Sequence, residues 1–144
     1  MSDGDIPRRL SFTREDIEKI TRVLRAYLDN ANAKCALLVD ADGHVLTKEG
    51  ETSTYPMDTL ATLVAFNVES ARRTAGLLGD KEFSVLYHQQ GRENLQLTLT
   101  GGWGVLAVVF DDKTTLGMVR LYGSVVSSKL RELFNEIANR KPPA

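Results

Sequence analysis

Two aspartates precede a glycine and a histidine in Asp40-Ala41-Asp42-Gly43-His44. An Asp-x-Asp-Gly start suits a calcium loop, but that loop needs a third oxygen ligand before its glycine and a glutamate at its twelfth position. Neither stands here. The same residues suit a tight hairpin turn in which Gly43 supplies a positive φ. His44 and His88, the two histidines, lack Cys or acidic partners at metal-ligand spacing and read as solvated strand residues. Gly101-Gly102-Trp103-Gly104 joins two strand-like runs, whereas glycines that cradle phosphate open a helix after a strand. The chain has no G-x-x-x-x-G-K-[ST], no G-x-S-x-G elbow and no nucleophile beside a base. Arg72 and Arg73 invite comparison with an arginine finger supplied in trans, although adjacent arginines on a helix commonly only solvate it. The expectation is a protein with no catalytic residue, no metal and no cofactor, acting through its surfaces.

The composition agrees. Eighteen basic and nineteen acidic residues nearly cancel, which removes the basic footprint of a nucleic-acid or anionic-membrane binder. A chain of 144 residues can bury one core as a single domain. The lone Cys35 lies in an apolar run and reads as a buried thiol in a reducing compartment. The N-terminal Met-Ser-Asp-Gly-Asp has no apolar signal core, and the apolar runs are of strand length, so a cytoplasmic protein without membrane insertion is expected.

The elements that position these residues follow from periodicity. Residues 1–12 form a polar, mobile segment, 13–140 one domain and 141–144 a short tail. Thr13 and Asp16 make a capping box, with Asp for Glu, before a helix over 14–29 whose stripe is Ile17, Ile20, Leu24, Tyr27 and Leu28. Cys35 to Val39 is an all-apolar strand, and His44 to Thr47 returns from the Asp40–Gly43 turn. Lys48 to Thr54 reads as a loop. A second helix follows Pro56, with Met57, Leu60, Ala61, Val64, Val68, Ala71, Ala75 and Leu78 inward and Gly79 as its C-terminal cap. Runs 83–88, 95–100 and 105–110 make a meander. Leu95 to Thr100 alternates and has one buried face; Val105 to Phe110 does not alternate and is covered on both. The stripe Leu116, Val119, Tyr122, Val126, Leu130, Leu133 and Ile137 favours one long last helix, capped at Thr114, over a sixth strand at 118–122.

The two all-apolar strands belong together at the centre, and hairpin neighbours then give the order 2-1-5-4-3. The third strand is left on an edge, with Phe83, Val85 and Tyr87 as outer side chains where a second copy could pair. Opposite the core stripe of the second helix stand Thr59, Thr62, Leu63, Phe66, Glu69, Ser70, Arg73 and Leu77. A helix buried by one face has no packing use for Phe66 and Leu77 on the other, which marks a partner-binding surface.

Five local strings resemble the Roadblock family: Ala31-Asn32-Ala33-Lys34, Leu38-Val39-Asp40 with Gly43, Leu60-Ala61-Thr62-Leu63 with Asn67-Val68, Leu77-Leu78-Gly79 with Glu82-Phe83, and Val109-Phe110-Asp111 followed by Thr115-Leu116-Gly117-Met118-Val119-Arg120-Leu121. The resemblance spans roughly residues 15–138. It implies an α+β, profilin-like sandwich of order α-ββ-α-βββ-α, with helices on both faces of a five-stranded antiparallel sheet. It also implies a homodimer joined through third strands and second helices. The partner would be a Ras-like (MglA-like) small GTPase whose hydrolysis the dimer stimulates without donating a residue, in the service of cell polarity or motility. Where such regulators carry small residues in the middle of the second helix, this chain has Glu69 and Arg73. That departure keeps a second reading open, a non-activating adaptor paired with another Roadblock protein or a polarity complex. A third, a small-molecule sensor, requires an internal pocket.

Overall fold

A computed structural model describes residues 10–79, 85–100 and 103–140. Its elements run α1 (Arg14–Ala31), β1 (Cys35–Asp40), β2 (Val45–Gly50), α2 (Met57–Leu77), β3 (Val85–Gln90), β4 (Glu93–Leu99), β5 (Gly104–Phe110) and α3 (Leu116–Asn139), with a 3-10 turn at Thr52–Thr54. All neighbouring strands are antiparallel, in the order β2-β1-β5-β4-β3.

The central pair sets the architecture. Alternate residues of an extended chain face opposite ways, so Ala36 and Leu38 of β1 join Leu106, Val108 and Phe110 of β5 on one face. Cys35, Leu37 and Val39 join Val105, Ala107 and Val109 on the other. The first set is sealed by α1 through Ile20, Leu24 and Tyr27 and by α3 through Val119, Val126, Leu130 and Phe134. The second is covered by α2 through Met57, Ala61, Val64 and Val68. Each fully buried Leu, Ile or Phe contributes roughly 1.5–3 kcal/mol. Burial also pushes the Cys35 thiol up to about 11, as befits a packing residue.

Helix α1 starts as expected: Asp16 N–H donates to Thr13 Oγ1 at 3.1 Å and Thr13 N–H to Asp16 Oδ2 at 2.8 Å. Helix α3 is continuous, and Gly123 within it is required by space. A Cβ there would lie 2.8 Å from the Tyr27 hydroxyl, which itself donates to Val119 O at 2.9 Å. The glycine lets α1 and α3 close over the sheet.

Several boundaries depart from expectation, with α1 running on to Ala31 and β4 starting at Glu93. Strand β2 continues through Lys48, Glu49 and Gly50, pairing with Leu37, Ala36 and Cys35. An edge strand tolerates charge, and Glu49 is held by Arg25 at 3.1 Å. The cap of α3 is Thr115 rather than Thr114, since it is the Thr115 hydroxyl that accepts from Met118 N–H at 3.1 Å. Leu78 is not core: it lies past the end of α2 and is 76% exposed. Gly79 beyond it takes the positive φ expected of a helix-ending residue. The third strand, described over Val85–Gln90, continues two residues past the expected end at His88; positions 83 and 84, Phe83 among them, lie outside the described residues.

The chain ends of the sandwich are tied by charge. Arg140, just past α3, reaches Asp16 with Nη2 to Oδ2 at 2.7 Å and Nη1 to Oδ1 at 3.1 Å, and Nη2 also donates to Ser11 O at 3.2 Å. The Arg140 hydrogen bonds, then the Thr13 amide and hydroxyl, hold the Asp16 carboxyl well below the usual range against the opposing effect of burial. A carboxyl depressed in the folded state stabilises it above the unfolded value near 4 and loses that contribution as pH falls toward the folded value. Arg140→Met should therefore lower the urea midpoint at pH 7, and its deficit against wild type should shrink steadily below about pH 4. A deficit that stays constant into strong acid would show that Arg140 acts by packing alone.

Candidate functional site

The outer face of α2 is where sequence placed a partner. Thr59, Thr62, Leu63, Phe66, Glu69, Ser70 and Arg73 are all exposed along it. Leu63 is 53%, Phe66 69% and Leu77 88% exposed, so the apolar side chains opposite the core stripe point to solvent. Thr62 donates its hydroxyl to Asp58 O, and Thr74 to Ser70 O. The face is thus a helix surface without backbone groups to offer. Its two charges are paired with each other: Arg73 Nε lies 3.1 Å from Glu69 Oε2, one turn apart.

The sheet face under α2 is incompletely covered. A single helix spans β1 and its neighbours, and Leu86 of β3 with Leu95 and Leu99 of β4 remain only half-buried at the margin of this core. Strand β3 pairs with β4 alone among the described residues. Of its expected outward residues, Val85 is exposed, but Tyr87 is half-buried. It stacks on Phe110 with ring centroids 6.2 Å apart, and its hydroxyl donates to Asn94 Oδ1 at 2.9 Å. Tyr87 is therefore a supporting residue of the α1/α3 layer as well as an edge residue.

The Asp40 turn is closed by its own carboxylate. Asp40 Oδ1 accepts from Asp42 N–H and His44 N–H, each at 2.9 Å, and Gly43 has φ +88°. His44 lies before β2 rather than in it, and its Nδ1 is 3.4 Å from Asp40 Oδ2. Spacing alone hid this approach: candidate ligand atoms of Asp40, Asp42 and His44 come within 4.8 Å of one another. Asp40 Oδ1 is engaged by both turn amides, as in a closed hairpin turn. Asp40 is half-buried and closes onto the flank of α2, where Gly43 lies against Thr62 and Ala65. Between turn and helix opens a cleft that sequence did not reveal, since its walls come from three distant segments.

At the other end of the sheet Lys34 Nζ is 2.8 Å from Glu93 Oε1, and the Tyr55 hydroxyl donates to the same oxygen at 2.9 Å. This cluster raises the Lys34 ammonium and lowers the Glu93 carboxyl through their mutual hydrogen bond. It anchors the approach to α2 onto β4. His88 is exposed, and Arg72 and Arg73 are exposed helix residues.

This layering sets two helices on one face of the sheet and one on the other, the second face being partly covered. Residues 19–110 match the Roadblock/LC7 domain model, and the chain belongs to the Roadblock/LC7 family. Within it the chain is similar to MglB. It shares 33% identity with Myxococcus xanthus MglB, covering 92% of this chain and 100% of that one with a TM-score of 0.85. With the gliding protein MglB of Thermus thermophilus the values are 34% identity, 91% and 99% coverage, and a TM-score of 0.83. A further MglB structure, described as having a tetrameric arrangement, shares 32% identity over 92% of this chain and 99% of that one, with a TM-score of 0.84. No curated protein sequence matches the chain. Among the described residues no helix is long and apolar enough to cross a membrane.

Removing the turn carboxylate tests what it does. Asp40→Ala leaves two amides without their acceptor and should destabilise the domain by about 1–2 kcal/mol in urea unfolding. An unchanged midpoint would show that solvent replaces the carboxylate at no cost.

Proposed function

We propose that this chain is a homodimeric, MglB-like regulator that binds a Ras-like (MglA-like) small GTPase and stimulates its GTP hydrolysis, in the service of cell polarity or motility. The observation that carries the reading is the outer face of α2, with exposed Leu63, Phe66 and Leu77 on a chain that shares the MglB fold over nearly its whole length. No group on that face is suited to acid, base or nucleophilic work, so the regulator contributes position. Holding the GTPase's own catalytic side chains in line lowers the barrier by orientation and charge stabilisation. The Glu69–Arg73 pair fits such docking better than two isolated charges would, since each enters a contact already compensated.

Self-association is the second part of the proposal. The exposed edge of β3, with Val85, would pair with its copy, and a second α2 would cover half-buried Leu86, Leu95 and Leu99. That one MglB relative has a tetrameric arrangement supports a self-assembling surface here. The same Glu69–Arg73 pair also favours the adaptor reading, in which this copy pairs with another Roadblock protein and does not activate.

Single-turnover GTP hydrolysis by the Ras-like GTPase of the same genome should accelerate tenfold or more with excess protein, about 1.4 kcal/mol of barrier. Binding without acceleration would establish the adaptor. Reversing Glu69→Arg or Arg73→Glu should weaken GTPase binding, and unaltered affinity for both would remove α2 as the contact surface. For the dimer, Val85→Lys should give monomers by light scattering, because a buried lysine at a strand pair is left without a partner. Tyr87 is a poorer probe, as its loss also unstacks Phe110.

A further inference from the structure

On the side of the sheet away from α2, the outer surface of the α1/α3 layer carries a groove of about 470 Å3. Its floor is apolar, made by Val23 and Ala26 of α1 and Leu133 of α3. Exposed Val125 and Leu121 continue that floor along α3 at helical spacing. The Asp16–Arg140 bond sets the register of the walls. Each turn onward from Asp16 in α1 stands beside a turn backward from Arg140 in α3, so Lys19 comes level with Glu136 and Arg22 with Glu132. The α1 wall is thus basic and the α3 wall acidic over two turns, with Lys129 beyond them, level with Ala26. These charges are not engaged within the chain. Lys19 has only a loose 3.8 Å contact with exposed Glu15. Among the described residues, Arg22, Lys129, Glu132 and Glu136 make no ion pair or side-chain hydrogen bond.

A surface with one basic and one acidic wall is matched on both sides by a copy of itself. A two-fold axis lying along the groove sets the α1 wall of each copy on the α3 wall of the other. Arg22 then meets the second copy's Glu132, and Lys19 its Glu136, each contact being made twice. The four helices pack over a shared apolar seam, as in a helix bundle. A partner of one charge sign would instead leave one wall facing like charge. We infer that the α1/α3 groove is a second self-association surface, where two copies of this chain pair about an axis parallel to the groove. Since it lies across the sheet from α2, it adds to pairing at the β3 edge and leaves the α2 face open. It does not depend on the GTPase.

Sedimentation velocity of the full chain at rising concentration, in low and high salt, reads this step. The contact is rimmed by solvated charge, so it should appear at higher concentration than β3 pairing and recede with salt. Arg22→Glu and Glu132→Arg should each weaken it about tenfold or more, since either change sets like charges together on both sides of the axis. An equimolar mixture of the two variants should restore it, because each supplies the charge that the other lacks. Neither misfolding nor an unrelated partner produces recovery on mixing, and thermal melts of both variants should match wild type. At low concentration neither variant should alter the β3-paired dimer. Should β3 pairing fail, the same step appears as monomer to dimer, and the charge-swap readout is unaffected. Wild-type association in either variant, or a mixture that stays apart, would overturn the inference. So would a wild-type chain with no salt-sensitive step at any concentration, which would leave the groove to solvent or to a different partner.

Discussion

The constraint from which the rest of the structure follows is that β1 and β5 are buried on both faces. Their alternate side chains feed two separate cores, and neither core can be left to water. On one side α1 and α3 share the work, and Gly123 lets them approach closely enough to bury Tyr27. On the other side α2 stands alone. A single helix covers little more than two strands of a twisted sheet, so the imbalance of two helices against one leaves β3 and β4 partly uncovered. The surface proposed for self-association would thus follow from the layer count rather than from an addition to the fold.

Polar contacts hold this arrangement from its margins. Asp16 and Arg140 tie the start of α1 to the end of α3, Lys34 and Glu93 tie the first strand's approach to β4, and Arg25 holds Glu49 on β2. The last of these is exposed and contributes little. The first combines a capping box with a bidentate guanidinium on a buried carboxylate, where pairing matters because the charge has lost its water. None of these pairs lies on the outer face of α2, whose side-chain hydrogen bonds among the described residues are local to the helix.

Much of this was legible in the chain. The unbroken apolar runs at Cys35–Val39 and Val105–Phe110 named the central pair, and from them the strand order followed without further information. The helical stripe after Leu116 outweighed the β-like Met118–Tyr122 run because Gly123, which costs about 1 kcal/mol in a helix, is needed there for packing rather than being a break. Edges were less legible. Lys48, Glu49 and Gly50 look like a loop because an outermost strand has no second neighbour to demand apolar residues. Leu78 looked like core because periodicity does not say where a helix stops. The α2 face could be found because an apolar residue opposite a core stripe is visible in a helical projection. The cleft beside it could not, since residues 40–42, 62–72 and 104–105 meet only when the sheet forms.

A surface that works by positioning must be stiff where it touches and cheap to desolvate. The backbone of α2 meets the first need, with Met57, Ala61, Val64 and Val68 fixing the helix on the sheet so that Phe66 and Leu63 project from a rigid base. The second is met unevenly along its length. Thr62 and Ser70 are small and easily covered, and the apolar side chains gain from burial. Glu69 and Arg73 lose water but keep each other, so the penalty is that of a pair rather than of two ions. Such a pair adds little net attraction, but it discriminates. A partner offering an apolar patch at that point gains nothing from it, whereas one offering complementary charge on both sides recovers the desolvation loss. On the proposed reading, the charged middle of α2 would narrow the range of partners more than it weakens the contact.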